Sequence, residues 1–230
     1  MSTTTPAPIA LAVLDMAGTT VSDGGLVLQA FDVAATAAGI PDDGPEREHA
    51  RQYVIDTMGQ SKITVFRALT GDDEDRAQAG NRAFEAAYDD LIGTGDIRPI
   101  AGAAETIAQL RGSGIKVALT TGFSRATQHR LLDVLGWSDV ADLTLSPEEA
   151  GRGRPYPDLV LRAVLDLGID DVRTVAVLGD TSSDVLSGLR AGARIVAGTL
   201  TGAHDRTQLE GAGATHVVDS ISDFGQLVLS

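Results

Sequence analysis

Cysteine is absent from this 230-residue chain, which excludes disulfides and thiolate zinc sites and suits a reducing cytoplasm, the expected location. Lysine is almost absent: Lys62 and Lys116 are the two lysines among 18 basic residues. Nearly every generic positive charge is therefore given to arginine, and a retained lysine raises the question of whether its amine is needed. No apolar run is long enough to cross a bilayer, and the start, MSTTTPAP, lacks the basic and then apolar pattern of a secretory signal. Residues 1–8 read as a disordered leader. Net positive charge is missing as well. At −14 the chain is poorly suited to nucleic acid or anionic membranes by bulk electrostatics, so a small anionic substrate would need local cations.

What is present is organised around LAVLDMAGTT, Leu11 to Thr20. The apolar run from Ile9 to Leu14 stops at Asp15 and is followed by Gly18 and two threonines, the pattern of a strand buried on both faces and closed by a turn. Asp15 then sits at the carboxyl end of a strand, where ligands bind in open parallel sheets; an acid that merely starts a turn is the plainer reading. From about Ser22 to about Arg98 no strand pattern occurs. The spacing predicts helices over Gly24 to Gly39, two short ones between Glu46 and Thr70 broken near Met58-Gly59, and a more polar one from Asp73 to Ile92.

From Pro99 onward helix and strand alternate. Strands are expected at Lys116 to Thr120, Asp142 to Leu145, Thr174 to Leu178, Arg194 to Ala197 and His216 to Val218, with helices between and after them. Short loops in such a series imply right-handed crossovers and a parallel sheet covered on both faces. The expected fold is α/β, a Rossmann-like parallel sheet core made of residues 9–21 and 99–230, with an all-helical cap, residues 22–98, inserted after the first strand.

Three further strand ends carry polar residues. Thr121-Gly122 offers a hydroxyl and loop amides for a phosphoryl oxygen. Asp180 and Asp184, four apart across a strand-to-helix turn, are hard oxygen donors suited to Mg²⁺. Arg152 and Arg154 lie in the loop GRGRPYP. Singly each has a plain structural role: Asp184 as a first-turn helix acid, Thr121 as a turn residue, the arginines as solvated loop charges. Together they put a carboxylate nucleophile, cations and hydroxyl donors at one sheet edge, the equipment of phosphoryl or phosphonyl transfer.

These four motifs resemble the haloacid dehalogenase superfamily, with its Asp nucleophile ending the first strand and its GD(x)3D metal motif. Within it, DMAGTT, TTG, GRPYP, GDTSSD and the helical MGQSK resemble phosphonoacetaldehyde hydrolase and its relatives over nearly the whole chain after the leader. The resemblance implies Asp15 as nucleophile; Mg²⁺ held near Asp15, the Ala17 carbonyl and Asp180, with Asp184 as ligand or neighbour; Thr121 and Arg154 on the phosphoryl oxygens; and Lys62 as a Schiff base with a substrate aldehyde. It further implies a substrate environment of Ala17, Gly18, Met58, Gly122 and Tyr156, a cap that excludes water, and a homodimer through that cap.

The chemistry is consistent with those residues. Superfamily phosphatases use a second Asp, two residues after the nucleophile, to protonate an alcohol leaving group, and this chain has Ala17 there. An iminium on Lys62 removes the need, because the departing carbon becomes a neutral enamine; the attacking amine must first be neutral. The pattern also departs from the phosphonatase one: Val65 stands in place of a histidine, Phe123 in place of a tyrosine, and a cap cysteine is missing. The expected activity is Mg²⁺-dependent cleavage of the C–P bond of phosphonoacetaldehyde or a related 2-oxoalkyl phosphonate. The alternatives are a small-molecule phosphate-ester phosphatase and a catalytically weak phosphonate- or phosphate-binding protein.

Overall fold

The first strand, β1 (Leu11–Asp15), is completely buried, and its residues alternate between two cores. Ala12 and Leu14 enter one, Leu11 and Val13 the other, as the two-residue period of a strand requires. The structure is a computed structural model and describes residues 7–22, 24–94 and 97–230; most of the expected leader lies outside the described residues. After β1 come β2 (Val21–Ser22) and four helices, α1 (Leu26–Ala37), α2 (Pro45–Asp56), α3 (Lys62–Leu69) and α4 (Glu74–Thr94), and then β3 (Arg98–Pro99). The alternating series follows: α5 (Ala103–Gly112), β4 (Lys116–Thr120), α6 (Arg125–Leu135), β5 (Leu143–Leu145), α7 (Pro147–Ala150), α8 (Asp158–Asp166), β6 (Val175–Gly179), α9 (Ser182–Ala191), β7 (Ile195–Thr199), α10 (Arg206–Gly211), β8 (His216–Val218) and α11 (Ile221–Leu229).

Six strands form one sheet in the order β5-β4-β1-β6-β7-β8, and every neighbouring pair is parallel. The fold is therefore α/β with β1 central. The chain fills one side of β1 with β4 and β5, then the other with β6, β7 and β8, so the connections diverge beside β1 and leave a crevice at the carboxyl ends. Asp15 is level with Thr120 across the β1–β4 ladder. The Asp180 that follows β6 emerges on the other side of it.

The helical segment between β2 and β3 leaves and returns through one narrow neck, in which Val21 pairs with Pro99 and Ser22 with Arg98. That two-residue ladder was not visible in the sequence, since Arg98-Pro99 is exposed and carries no alternation. The break expected near Met58-Gly59 falls between α2 and α3, with Gly59 at a φ of 85° that an L side chain seldom adopts. The expected helix from Asp73 is α4, which turns Phe84 and Tyr88 inward.

One core joins this segment to the sheet. Phe31, Phe66, Phe84 and Tyr88 share a buried cluster with Leu14, Ile107 and Phe224. The join is aromatic: Phe123, in the loop after β4, lies 4.7 Å from the Tyr88 ring centre and 6.4 Å from that of Phe84. Aromatics make up only 4% of the chain, so their meeting at one seam marks where the packing is concentrated. No helix among the described residues is long and apolar enough to cross a membrane.

Phe123→Ala is expected to cost about 3 kcal/mol of stability in urea unfolding. It should also speed proteolysis within residues 24–94 of the folded protein; unchanged cleavage there would show that the seam does not hold the segment.

Candidate active site

At the carboxyl edge of the sheet, Asp15, Asp180 and Asp184 are all buried, and one carboxylate oxygen of each lies within 4.8 Å of the others. Each is held by a local device. Asp15 ends β1. Asp180 follows β6 and is cradled by close backbone. Its Oδ2 accepts from the Ala203 N–H at 2.7 Å and its Oδ1 from the Thr19 hydroxyl at 3.2 Å. A Cβ on Gly18, where φ is 86°, would stand 2.4 Å from Asp180 Oδ2, so glycine is required there by both space and backbone. Asp184 serves two readings at once. Its Oδ2 closes a capping box with Thr181 at the start of α9, while its Oδ1 accepts from Arg154 Nε at 2.8 Å.

Arg154 is the internal counter-charge. Its Nη1 reaches Asp15 Oδ1 at 2.5 Å and its Nη2 donates to the Thr120 hydroxyl at 2.6 Å. Three of its five N–H groups are thereby used, and Nη1 and Nη2 each keep one. Asp15 Oδ2 accepts no hydrogen bond from the described residues. Three carboxylates against one guanidinium leave surplus negative charge out of water. Burial pushes Asp15 well above its ordinary range, opposed by Arg154 and reinforced by Asp184 and Asp180. Burial, with Asp184 beside it, pushes Asp180 up to about 7. For Arg154, burial works against the charge, but Asp15 and Asp184 outweigh it and raise its pKa. A cluster of hard oxygens with excess negative charge fits a divalent cation such as Mg²⁺.

Beside the acids is a cavity of about 30 Å³ lined by Asp15, Ala17, Met58, Lys62, Thr121 and Arg154 among others, room for a water or part of a small anion. The Thr121 hydroxyl accepts from the Phe123 N–H at 3.2 Å. That satisfies the turn and leaves its own proton available to a ligand. Lys62, the first residue of α3, carries its ammonium 5.1 Å from the Phe123 ring centre and 5.6 Å from that of Phe84, a cation–π arrangement. Gly122 packs on the helical segment itself: a Cβ there would lie 2.6 Å from the Gln60 carbonyl oxygen and 2.7 Å from that of Gly59.

Not every expected residue joins this cavity. Tyr156 is 45% exposed and lines an adjoining outer cleft of about 950 Å³, with Arg152 over its ring at 4.3 Å. Arg152 is paired with Asp158 on the surface, the solvated role open to a loop arginine. Val65, at the position of the missing histidine, is buried in the core. Lys116 lies at the opposite end of β4, exposed and 3.6 Å from Asp142.

Sequence reading missed His204 altogether. It is 3% exposed; its Nδ1 accepts from the Ser182 N–H at 2.9 Å, which leaves Nε2 to donate to the Ile55 carbonyl at 3.4 Å. It thus ties α2 to the start of α9, one residue after the Ala203 that binds Asp180. The available signal was a histidine just beyond the carboxyl end of a strand, in TGAHD.

Comparison with known proteins finds relatives of this chain. Residues 9–192 match the family model described as haloacid dehalogenase-like hydrolase. Phosphonoacetaldehyde hydrolase of Salmonella paratyphi A (strain ATCC 9150 / SARB42) is 30% identical over 92% of this chain and 91% of its own. The probable phosphatase IndB of Dickeya dadantii (strain 3937) is 29% identical over 93% and 90%. Among solved structures, a phosphonoacetaldehyde hydrolase-like protein from Oleispira antarctica superposes with a TM-score of 0.83 at 23% identity, over 97% of this chain and 92% of that one.

Surplus acid in the cluster gives a stability signature. Because the folded-state pKa of Asp180 is raised from 3.8 to about 7, the folded protein binds more protons than the unfolded one between those values, so stability falls as pH rises through that window. Without divalent ions, wild type is therefore expected to lose Tm relative to Asp180→Asn between about pH 4 and pH 7. Mg²⁺ should raise the Tm of wild type at pH 7 and leave that of Asp180→Asn unchanged; equal shifts in both would exclude Asp180 as a ligand.

Proposed function

The chain belongs to the haloacid dehalogenase-like hydrolases, and on that premise we propose that it cleaves the C–P bond of phosphonoacetaldehyde or a related 2-oxoalkyl phosphonate. The observation that carries this reading is that Lys62 and Asp15 line one cavity in a chain that has alanine where a leaving-group acid would stand. In this reading the helical segment of residues 22–98 is a cap that excludes water, and the residues divide the work as follows.

The Lys62 amine condenses with the substrate carbonyl, releasing water and forming an imine that is protonated to an iminium. The N–H groups that Arg154 keeps on Nη1 and Nη2, and the Thr121 proton, hold the phosphoryl oxygens. Asp15 attacks phosphorus through Oδ2; the C–P bond breaks, and its electron pair moves into the iminium to give an enamine. Carbon takes a proton, water releases the carbonyl product from Lys62, and a second water hydrolyses the aspartyl-phosphate to free phosphate. Mg²⁺ on Asp15, the Ala17 carbonyl and Asp180, with Asp184 adjacent, would neutralise phosphoryl charge and reduce repulsion toward the carboxylate. Phe84 and Phe123 hold the Lys62 nitrogen against their ring faces.

A second reading, hydrolysis of a small phosphate ester, is favoured by the likeness to a probable phosphatase at nearly the same identity. It requires no amine, so Lys62 decides between the two. With phosphonoacetaldehyde and borohydride, wild type is expected to yield a reduced adduct on the Lys62 peptide by mass spectrometry. Lys62→Arg should lose both the adduct and C–P cleavage, followed by phosphorus NMR. Cleavage that persists in Lys62→Arg would overturn the Schiff base.

Asp15→Asn is expected to lower turnover of either substrate class by at least about a thousandfold, with no loss of Tm, because it removes one of three mutually repelling acids while keeping an acceptor for Arg154. Turnover within tenfold of wild type would exclude Asp15 as the nucleophile.

A further inference from the structure

The outer cleft is far larger than the reaction needs. A two-carbon aldehyde would scarcely extend past the inner cavity, yet a space of about 950 Å³ adjoins it, and Lys62, Gly122, Phe123 and Arg154 line both. That volume is in the range of sites that enclose drug-sized ligands. Lys62 stands at the junction, so whatever is attached to the carbonyl carbon on the side away from phosphorus points into the cleft.

The cleft also has a charge at odds with the rest of the protein. In a chain of formal charge −14, its lining holds five basic side chains, Lys62, Arg67, Arg152, Arg154 and Arg190, against two acids, Glu85 and Glu148. Arg67 and Arg152 are neutralised from behind, by Glu74 and Asp158, and Arg154 by Asp15 and Asp184. Arg190 is different. Its Nη1 donates to the Pro155 carbonyl at 2.7 Å, which holds it against the loop that forms one wall. No carboxylate among the described residues lies within ion-pair distance of it. Its remaining N–H groups are open to a ligand, in the forked arrangement that suits a carboxylate or phosphate. The plainer role for Arg190 is as a cation in the last turn of α9, where it favours the helix dipole.

Building on the phosphonate reading above, we infer that the leaving half of the substrate is an extended chain ending in an anionic group of its own, seated in the outer cleft against Arg190. The substrate class is a 2-oxoalkyl phosphonate whose carbonyl bears a further chain with a terminal anion, of which a carboxylate is the simplest. The bonds made and broken are those already described, and the second anion serves recognition.

Titration calorimetry with Mg²⁺ and three inert probes tests this: methylphosphonate, butylphosphonate and 4-phosphonobutyrate. Wild type is expected to bind 4-phosphonobutyrate at least tenfold more tightly than butylphosphonate, which matches it in chain length but lacks a terminal charge. In Arg190→Gln that ratio should fall below threefold, and Arg190→Lys should restore part of it. A dipole or folding role would shift all three probes together and leave the ratio intact, which would overturn the inference, as would equal binding of the two longer probes by wild type. Methylphosphonate separates the two readings: if it binds and the carboxylate adds nothing, only the extended substrate is lost. If no phosphonate binds, the phosphonate reading and the inference fall together.

Discussion

Three carboxylates share one buried pocket with one guanidinium, and much of the surrounding architecture can be understood as what that costs. Ions of like sign held this close out of water need hydrogen-bond donors and a compensating charge beside them. Arg154 supplies the charge to Asp15 and Asp184. The start of α9 supplies donors to Asp184, and the Ala203 amide and the Thr19 hydroxyl supply them to Asp180. Position 18 is glycine because a side chain there would occupy the space of Asp180. The residues nearest the acids are thus fixed by electrostatics as much as by packing, and a surplus of negative charge remains for a bound cation to balance.

The parts of the molecule readable in advance were those with a local cause. Periodicity located all the strands of the large sheet to within a few residues, and Asp15 ends β1 because the apolar run stops where the sheet meets solvent or ligand. Convergence of Asp15, Asp180, Asp184 and Arg154 was legible because parallel topology sends each of those loops to the same edge. Contacts made across the chain were not. The pairing of Val21–Ser22 with Arg98–Pro99 joins segments more than seventy residues apart with no pattern in either. His204 lies 149 positions from the Ile55 it touches. The aromatic seam was half visible: Phe84 and Tyr88 could be put on one face of α4, but nothing in the sequence said that Phe123 would meet them. Tyr156, expected in the substrate environment, lies two residues beyond Arg154 and lines the outer cleft.

The two spaces divide the site by chemistry. The inner one, about 30 Å³, sets Asp15, Asp180, Arg154 and Thr121 against Val27, Met58 and Phe123; the outer one is far larger and carries five basic side chains. Lys62 borders both, and the rings that hold it belong to α4 and to the loop after β4, so its position depends on both sides of the aromatic seam.

The neck has a consequence of another kind. Since the helical segment departs at Val21–Ser22 and comes back at Arg98–Pro99, side by side, its two ends meet at one place whatever the length of chain between them. The entropy of closing a loop grows with the logarithm of its length, roughly 0.6 kcal/mol for each doubling. Chain could be added to the parts of that excursion that touch neither the aromatic seam nor His204 at small cost in closure entropy, so length is tolerated away from the seam and constrained at it.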